Sequence, residues 1–185
     1  MTTKELLAKS FVELSNVKSV DKITIRNIVD NCGLTKTTFY NHFQDKYDLI
    51  VQIYAAPVRN IVKRIGNNYS FCEAIVDFLN YFADNRRFII NALKNTSGQN
   101  SFLCNVSQIH VTALRELICS TLGSKELPLR VETLLKLYVF GTVHLVCEWL
   151  IDKMPIPIEE FATVLAAGLP SELKQYLPER VDLTN

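Results

Sequence analysis

The side chains best equipped for chemistry stand close together. Thr35, Lys36, Thr37 and Thr38 bring three hydroxyls and an ammonium to the first turn of a short helix, with Thr35 placed to cap it. Hydroxyls donate and accept and an ammonium donates, so the group is built for hydrogen bonding. On a helix's first turn such groups suit the base edges of a DNA major groove. A threonine methyl also suits the thymine methyl, so these residues do not spell out a base sequence. Thr24 caps the preceding helix, and Lys46, with the amides that open the following one, offers a charge and a helix-dipole site; both are candidates for backbone phosphates. Read on their own, Thr24 and Thr35 would also serve simply as helix caps.

The elements that must position this turn follow from spacing. Ile25, Ile28, Val29 and Cys32 fall at i, i+3, i+4 and i+7, one buried face of a short helix. Gly33 supplies the residue that tolerates positive φ where that helix stops. A second short helix starts directly after it, and two short helices joined by a tight glycine-containing turn make a helix-turn-helix. Phe39 and Phe43 read as core. Ahead of the motif, Thr2 or Thr3 caps a first helix whose stripe is Leu7, Phe11 and Leu14. Behind it, Asp45 and Asp48 form a near relative of the capping box at the head of a long fourth helix reaching about Ile65. Pro57 lies inside that helix and is expected to kink or divide it.

The remainder reads as helix as well. Amphipathic segments cover Ser70 to Ala83, a short stretch from Asp84 with Phe88 to Leu93, and Phe102 to Leu122, with a loop over Asn95 to Asn100. A long helix opening near Pro128 runs to about Lys153, and another runs from Pro157 to Gly168. No β-type alternation of useful length occurs, so the expected fold is all-α with about nine helices. The expected division is 1–50 for the helix-turn-helix domain (motif about 25–44, fourth helix to about 65) and 66–185 for a second helical domain. Leu134 to Ile151 is the most apolar stretch, but Lys136, His144 and Glu148 interrupt it; it reads as a helix buried on two sides.

Composition narrows the function classes. Hydrophobic residues make up 48% and charged residues 21%, which is a globular balance. The formal net charge of +1 argues against a broad polybasic surface, so contact with nucleic acid must come from local placement of charge. Five cysteines without a CxxC pair suit reduced thiols in the cytoplasm, and the amphipathic N-terminus lacks a secretory h-region. There is no phosphate-cradling glycine loop, no metal-ligand spacing and no nucleophile elbow; neither an enzyme, a cofactor nor a metal is expected.

The run Thr38-Phe39-Tyr40-Asn41-His42-Phe43 followed by Asp45-Lys46 resembles the end of the DNA-binding domain of TetR-type regulators, and the match extends back through Gly33 and Thr24 to Phe11. The wording from Phe39 to Leu49 is similar to the subgroup related to regulators of dihydroxyacetone kinase operons. The resemblance implies a homodimeric repressor released from a pseudopalindromic operator by a small-molecule effector. It implies that Tyr40 and His42 face phosphates, with Thr38 and Asn41 completing the contact set. It also implies a C-terminal ligand-binding and dimerisation domain whose last two long helices pair with those of a second copy, with Val139, Val143, Val146, Leu150, Phe161 and Leu165 as candidate interface. Phe78, Tyr81, Phe82, Phe88, Phe102, His110 and Tyr138 are candidates for an effector pocket, though the same aromatics would also serve as plain core. An alternative keeps the fold but acts mainly through a protein partner, as an adaptor or coactivator.

Overall fold

The first four helices of this chain start where a side chain catches the unpaired amides of a first turn. Thr2 accepts from the Glu5 amide (3.3 Å) while the Glu5 carboxylate accepts from the Thr2 amide (2.8 Å), and this capping box opens α1, Thr3–Ser15. Thr24 makes the same reciprocal pair with Asn27 and opens α2, Ile25–Asn31. Thr35 accepts from the Thr38 amide (3.1 Å) at the head of α3, Lys36–Tyr40. Asp45 accepts from the amides of both Tyr47 and Asp48 (2.8 Å each) at the head of α4, Lys46–Val62. Asp48 reaches back to the amide of Gln44 (2.9 Å), one residue ahead of the cap, so the box is shifted rather than reciprocal.

The computed structural model describes residues 1–98 and 101–177. Every regular element among them is helical: ten α-helices and one 3-10 turn, Val20–Lys22. After α4 come α5 (Phe71–Asp84), α6 (Arg86–Lys94), α7 (Phe102–Leu122), α8 (Leu129–Ile151), α9 (Ile158–Ala167) and α10 (Ser171–Lys174). The nine helices read from the sequence are present, and α10 is an additional short turn beyond Pro170. Pro57 lies inside α4 without ending it; a missing amide there removes one rung and the helix continues to Val62. Pro128, Pro157 and Pro170 stand at the N-caps of α8, α9 and α10, where a fixed φ is useful and an amide is not needed. Gly33, at φ 69°, ends α2 while the Leu34 amide bonds back to Val29 O (2.9 Å). Of the loop expected over Asn95 to Asn100, Gln99 and Asn100 lie outside the described residues, as do residues 178–185 of the second expected domain.

Packing groups these helices into two units. One takes Met1–Ala56 together with Asn85–Asn105, so α6 packs on α1 although it lies beyond the boundary expected at 66. Its centre is aromatic. Phe88 stands edge-on to Phe11 (6.1 Å between centroids) and Phe102 (6.0 Å), and Phe102 edge-on to Tyr54 (5.7 Å). All four rings are sealed from solvent.

The other unit takes Pro57–Asp84 and the chain from Val106 onward. Within it α5 packs on α8 and α9, and α10 on α8. The Tyr138 hydroxyl donates to Leu165 O (2.8 Å), and the Trp149 indole donates to Ile156 O (2.9 Å) with its ring stacked on Phe161 (5.3 Å). Arg130 meets Glu172 at 2.6 Å, and its guanidinium holds that carboxyl down at about 2. By length and composition α8 would also pass as a membrane-spanning helix. Leu135, Val139, Val143, Val146 and Leu150 are nevertheless buried along one side of it, as in a core helix.

Candidate functional site

The helix-turn-helix is held as one piece from beneath. Ser10 of α1 donates to Ile28 O of α2 (2.7 Å), and Asn31 donates to Ser10 Oγ (3.1 Å). Phe39 of α3 is fully buried, 5.5 Å from the ring of Phe43, so this short helix is pinned by its inner face. Its outer face stays open. Lys36, Thr37, Tyr40 and Asn41 are exposed, Tyr40 to 57%. Thr35 and Thr38 turn toward each other with hydroxyls 2.9 Å apart, and Thr38 is half-buried. His42 is also half-buried, its ring angled against Phe43. Thr24 is exposed, and its hydroxyl accepts the Asn27 amide.

The structure corrects the phosphate site expected at the head of α4. An ammonium has three donors. Those of Lys46 go to Val20 O (2.9 Å), Asp21 O (2.9 Å) and Ile23 O (3.0 Å) of the α1–α2 connection. Burial pulls its pKa below the ordinary lysine value. The neighbouring amides of Tyr47 and Asp48 are taken by Asp45. Lys46 therefore holds the α1–α2 connection in shape instead of reaching outward.

A second clamp on the same connection has no signal in the local sequence. Asn91 of α6 donates to Ser15 O (2.6 Å) and Lys18 O (2.8 Å) and accepts from the Val20 amide (3.0 Å). Asn95 fixes the orientation of that side chain by donating to its Oδ1 (2.9 Å). Lys18 in turn donates to Asn27 Oδ1 (2.8 Å), the residue that completes the α2 capping box. Only the fold reveals this role, because Asn91 lies 71 residues after Val20.

In the other unit, α5, α7, α8 and α9 line a cavity of about 50 Å³. Of the seven residues expected at an effector pocket, Phe78, Phe82, His110 and Tyr138 line it. Phe88 and Phe102 instead belong to the aromatic centre around Phe11, and Tyr81 stands outside the lining. His110 is buried edge-on to Phe78 (4.7 Å), and burial pushes its pKa down to about 4. The expected dimer residues need the same revision. Val139, Val143, Val146, Leu150, Phe161 and Leu165 are all buried within their own chain, and Val139, Val143, Val146 and Leu165 line the cavity. Besides Leu129 (81%) at its first residue, the apolar residues left outside on α8 are Leu137 (69%), Phe140 (48%), Leu145 (50%) and Ile151 (43%), on the opposite side of the helix, with Val164 (57%) on α9.

Residues 12–53 match the family described as bacterial regulatory proteins, tetR family. Residues 70–168, more than half of the chain, match a transcriptional regulator C-terminal region. The HTH-type dhaKLM operon transcriptional activator DhaS of Lactococcus lactis subsp. lactis (strain IL1403) is 23% identical over 86 residues, which span 46% of this chain and 46% of that protein. Among solved structures, the dihydroxyacetone kinase operon activator DhaS superposes with a TM-score of 0.66 at 16% identity, covering 95% of this chain and 98% of that one. A TetR transcriptional regulator from Streptococcus agalactiae 2603V gives 0.63 at 17% identity, over 90% and 93%. The regulator FadR from Bacillus subtilis, in complex with stearoyl-CoA, gives 0.60 at 16%, over 90% and 97%. At these identities the likenesses show the shared fold.

Two predictions come from this geometry. Asn91→Ala leaves carbonyls of the α1–α2 connection without donors, and is expected to cost about 1–3 kcal/mol in urea denaturation. It should also speed amide exchange at the start of α2; unaltered exchange there would remove Asn91 from the clamp. For His110, the folded pKa is about 4 against an ordinary 6.5, so between those values the unfolded chain binds a proton that the folded chain does not. Stability should therefore fall as pH drops through that window. Between pH 7 and 5 the wild type should lose about 1–2 kcal/mol more than His110→Phe, and equal losses would show that His110 does not carry this dependence.

Proposed function

The chain belongs to the TetR family of bacterial transcriptional regulators, and from that premise we propose that it is a homodimeric repressor released from a pseudopalindromic operator by a small molecule. The family consists of DNA-binding regulators and not of enzymes. The observation that carries the reading is the split character of α3: Phe39 is locked into the core while Lys36, Thr37, Tyr40 and Asn41 stand in solvent. A buried inner face fixes the helix, and an unspent polar outer face has hydrogen bonds to give to base edges. Around it Thr24, Thr35, Thr38 and His42 supply the nearby polar groups for phosphate and sugar contacts, which position a protein on a duplex. Lys46 acts through the shape of the head.

A pseudopalindrome is read by two copies whose recognition helices stand about 34–36 Å apart, one turn of B-DNA. The exposed apolar side of α8, with Val164 of α9, supports the second copy as its cover. The division of labour runs 1–50 for reading DNA and 66–185 for sensing and pairing, except that α6 packs with the reading head. An effector lodged among α5, α7, α8 and α9 lowers operator affinity by favouring a state with another spacing, to the extent of its differential binding. As a DNA-binding regulator the protein works in the cytoplasm.

One observation favours a second reading of the sign. DhaS, to which the chain is similar in both sequence and fold, is described as an operon activator. A reporter carrying the selected operator separates the two signs. Activation through a partner protein, as an adaptor, would show as activation that depends on that partner without a DNA site of the protein's own.

Selection of bound fragments from random DNA at fixed salt is expected to return an inverted repeat with half-sites one turn apart, and Thr37→Ala should relax preference at one position of each half. No enriched sequence would overturn the reading. Phe140→Glu places a carboxylate in the apolar side of α8 and is expected to give a monomer by sedimentation, with operator affinity reduced at least tenfold. A dimer of unaltered affinity would move the interface elsewhere.

A further inference from the structure

The wall of the α5–α9 cavity carries no Asp, Glu, Lys or Arg among the described residues. Aliphatic residues such as Ile75, Leu79, Leu114 and Val143, together with three phenylalanines, provide most of it. Three polar side chains reach it: His110, Tyr138 and Thr142. The Tyr138 hydroxyl is committed to Leu165 O at 2.8 Å. His110 presses edge-on against Phe78, and its burial keeps the imidazole neutral. A carboxylate, phosphate or ammonium entering here would leave water and meet no opposite charge, which is strongly unfavourable.

We propose that this cavity selects an uncharged, mainly apolar small molecule and discriminates against anions and cations of the same shape. The proposal rests on the reading of this cavity as the effector site. The space of about 50 Å³ is about a third of the roughly 150 Å³ with which an engineered apolar cavity takes up benzene. Anything beyond a few heavy atoms must therefore displace part of the wall. Phe78 is the aromatic wall residue placed to give way, since it is half-buried while Phe71 and Phe82 are sealed. An apolar ligand then replaces ring contacts with its own and leaves the polar bonds intact.

The same unit offers a contrasting place for a charged ligand. A depression of about 450 Å³ is lined by Arg59 and Lys63 near the end of α4, by Glu116 of α7, and by an apolar floor including Val62 and Leu117. Arg59 and Lys63 have no ion-pair partner among the described residues, so an anion finds counter-charge there and none in the cavity.

The test uses the full chain and three probes with one ring and different heads: benzyl alcohol, benzoate and benzylamine at pH 7.5. Binding is followed by methyl NMR of Ile75, Leu79 and Val143, alongside release of operator DNA. Benzyl alcohol is expected to shift these methyls with a Kd at least tenfold below that of either charged probe. Phe78→Ala should tighten it several-fold, and Val143→Phe, which fills the space, should abolish it; Phe78→Ala keeps the test alive if Val143→Phe fails to fold. Benzoate or benzylamine binding the cavity as well as benzyl alcohol would overturn the proposal, as would no shift with any probe. So would release of DNA by benzoate that is lost in Arg59→Ala or Lys63→Ala, which would place the effector in the charged depression. If benzyl alcohol binds as expected but the operator stays bound, the selectivity stands and effector release fails. If benzoate binds the cavity and releases the operator, effector release stands and the selectivity fails.

Discussion

The geometry of the DNA-reading head depends on how the connection between α1 and α2 disposes of its backbone carbonyls. From Ser15 to Ile23 the chain leaves one helix, makes a single 3-10 turn and enters another, so several carbonyls lack partners in regular structure. Five of them are caught by two side chains: Ser15 and Lys18 by Asn91, and Val20, Asp21 and Ile23 by Lys46. Because Thr24 follows at once as the cap of α2, fixing these carbonyls fixes where α2 begins. Phe39 and the Gly33 turn then carry that placement to α3. The orientation of the exposed Thr37 and Tyr40 is thus set by an amide and an ammonium that never face solvent as free donors.

This explains which parts of the head could be read in the sequence. A cap acts on amides two or three residues away, so Thr24, Thr35 and Asp45 announce themselves through their immediate neighbours. Gly33 does likewise, since positive φ is a property of one residue. Lys46 is legible as a lysine at a helix start, which suggests an outward charge. Its inward course depends on the carbonyls of a loop more than twenty residues earlier. Asn91 is further removed still, and an asparagine on an amphipathic helix reads as an ordinary surface residue until α6 is seen on α1.

The long helix α8 shows a different limit. Periodicity assigns a buried face only when the other face is polar. On α8 apolar residues fall on both sides: Leu135, Val139, Val143, Val146 and Leu150 on one, and Leu137, Phe140, Leu145 and Ile151 on the other, where they alternate with the exposed pair His144 and Glu148. The sequence therefore reveals that two surfaces need cover without saying which is covered by the chain itself. The neighbours decide it. α5 and α9 claim the first set through contacts such as Tyr138 to Leu165. The valines expected at an interface with a second copy are by that fact cavity wall. The aromatics divide similarly, since Phe88 and Phe102 resemble Phe78 in sequence but are consumed by the ring cluster around Phe11.

Charge placement connects these observations. With a net charge of +1 the protein has little long-range attraction for a polyanion, and the Lys46 cation is spent on holding carbonyls. Asp45 and Asp48 add two carboxylates at the head of α4, one of them seated on its amides, and these would repel phosphate from that spot. The salt-dependent part of DNA affinity must therefore come from the few cations left in solvent on the head, with Lys36 at the centre of the recognition turn. Few free charges give a surface little sequence-independent attraction for a duplex. The head has to obtain its affinity from correctly oriented polar contacts, which places a premium on the rigidity that Asn91 and Lys46 supply. Fixing the frame internally and leaving the α3 surface polar but sparsely charged are two parts of one solution: selectivity for a fitting sequence over the bulk of the duplex.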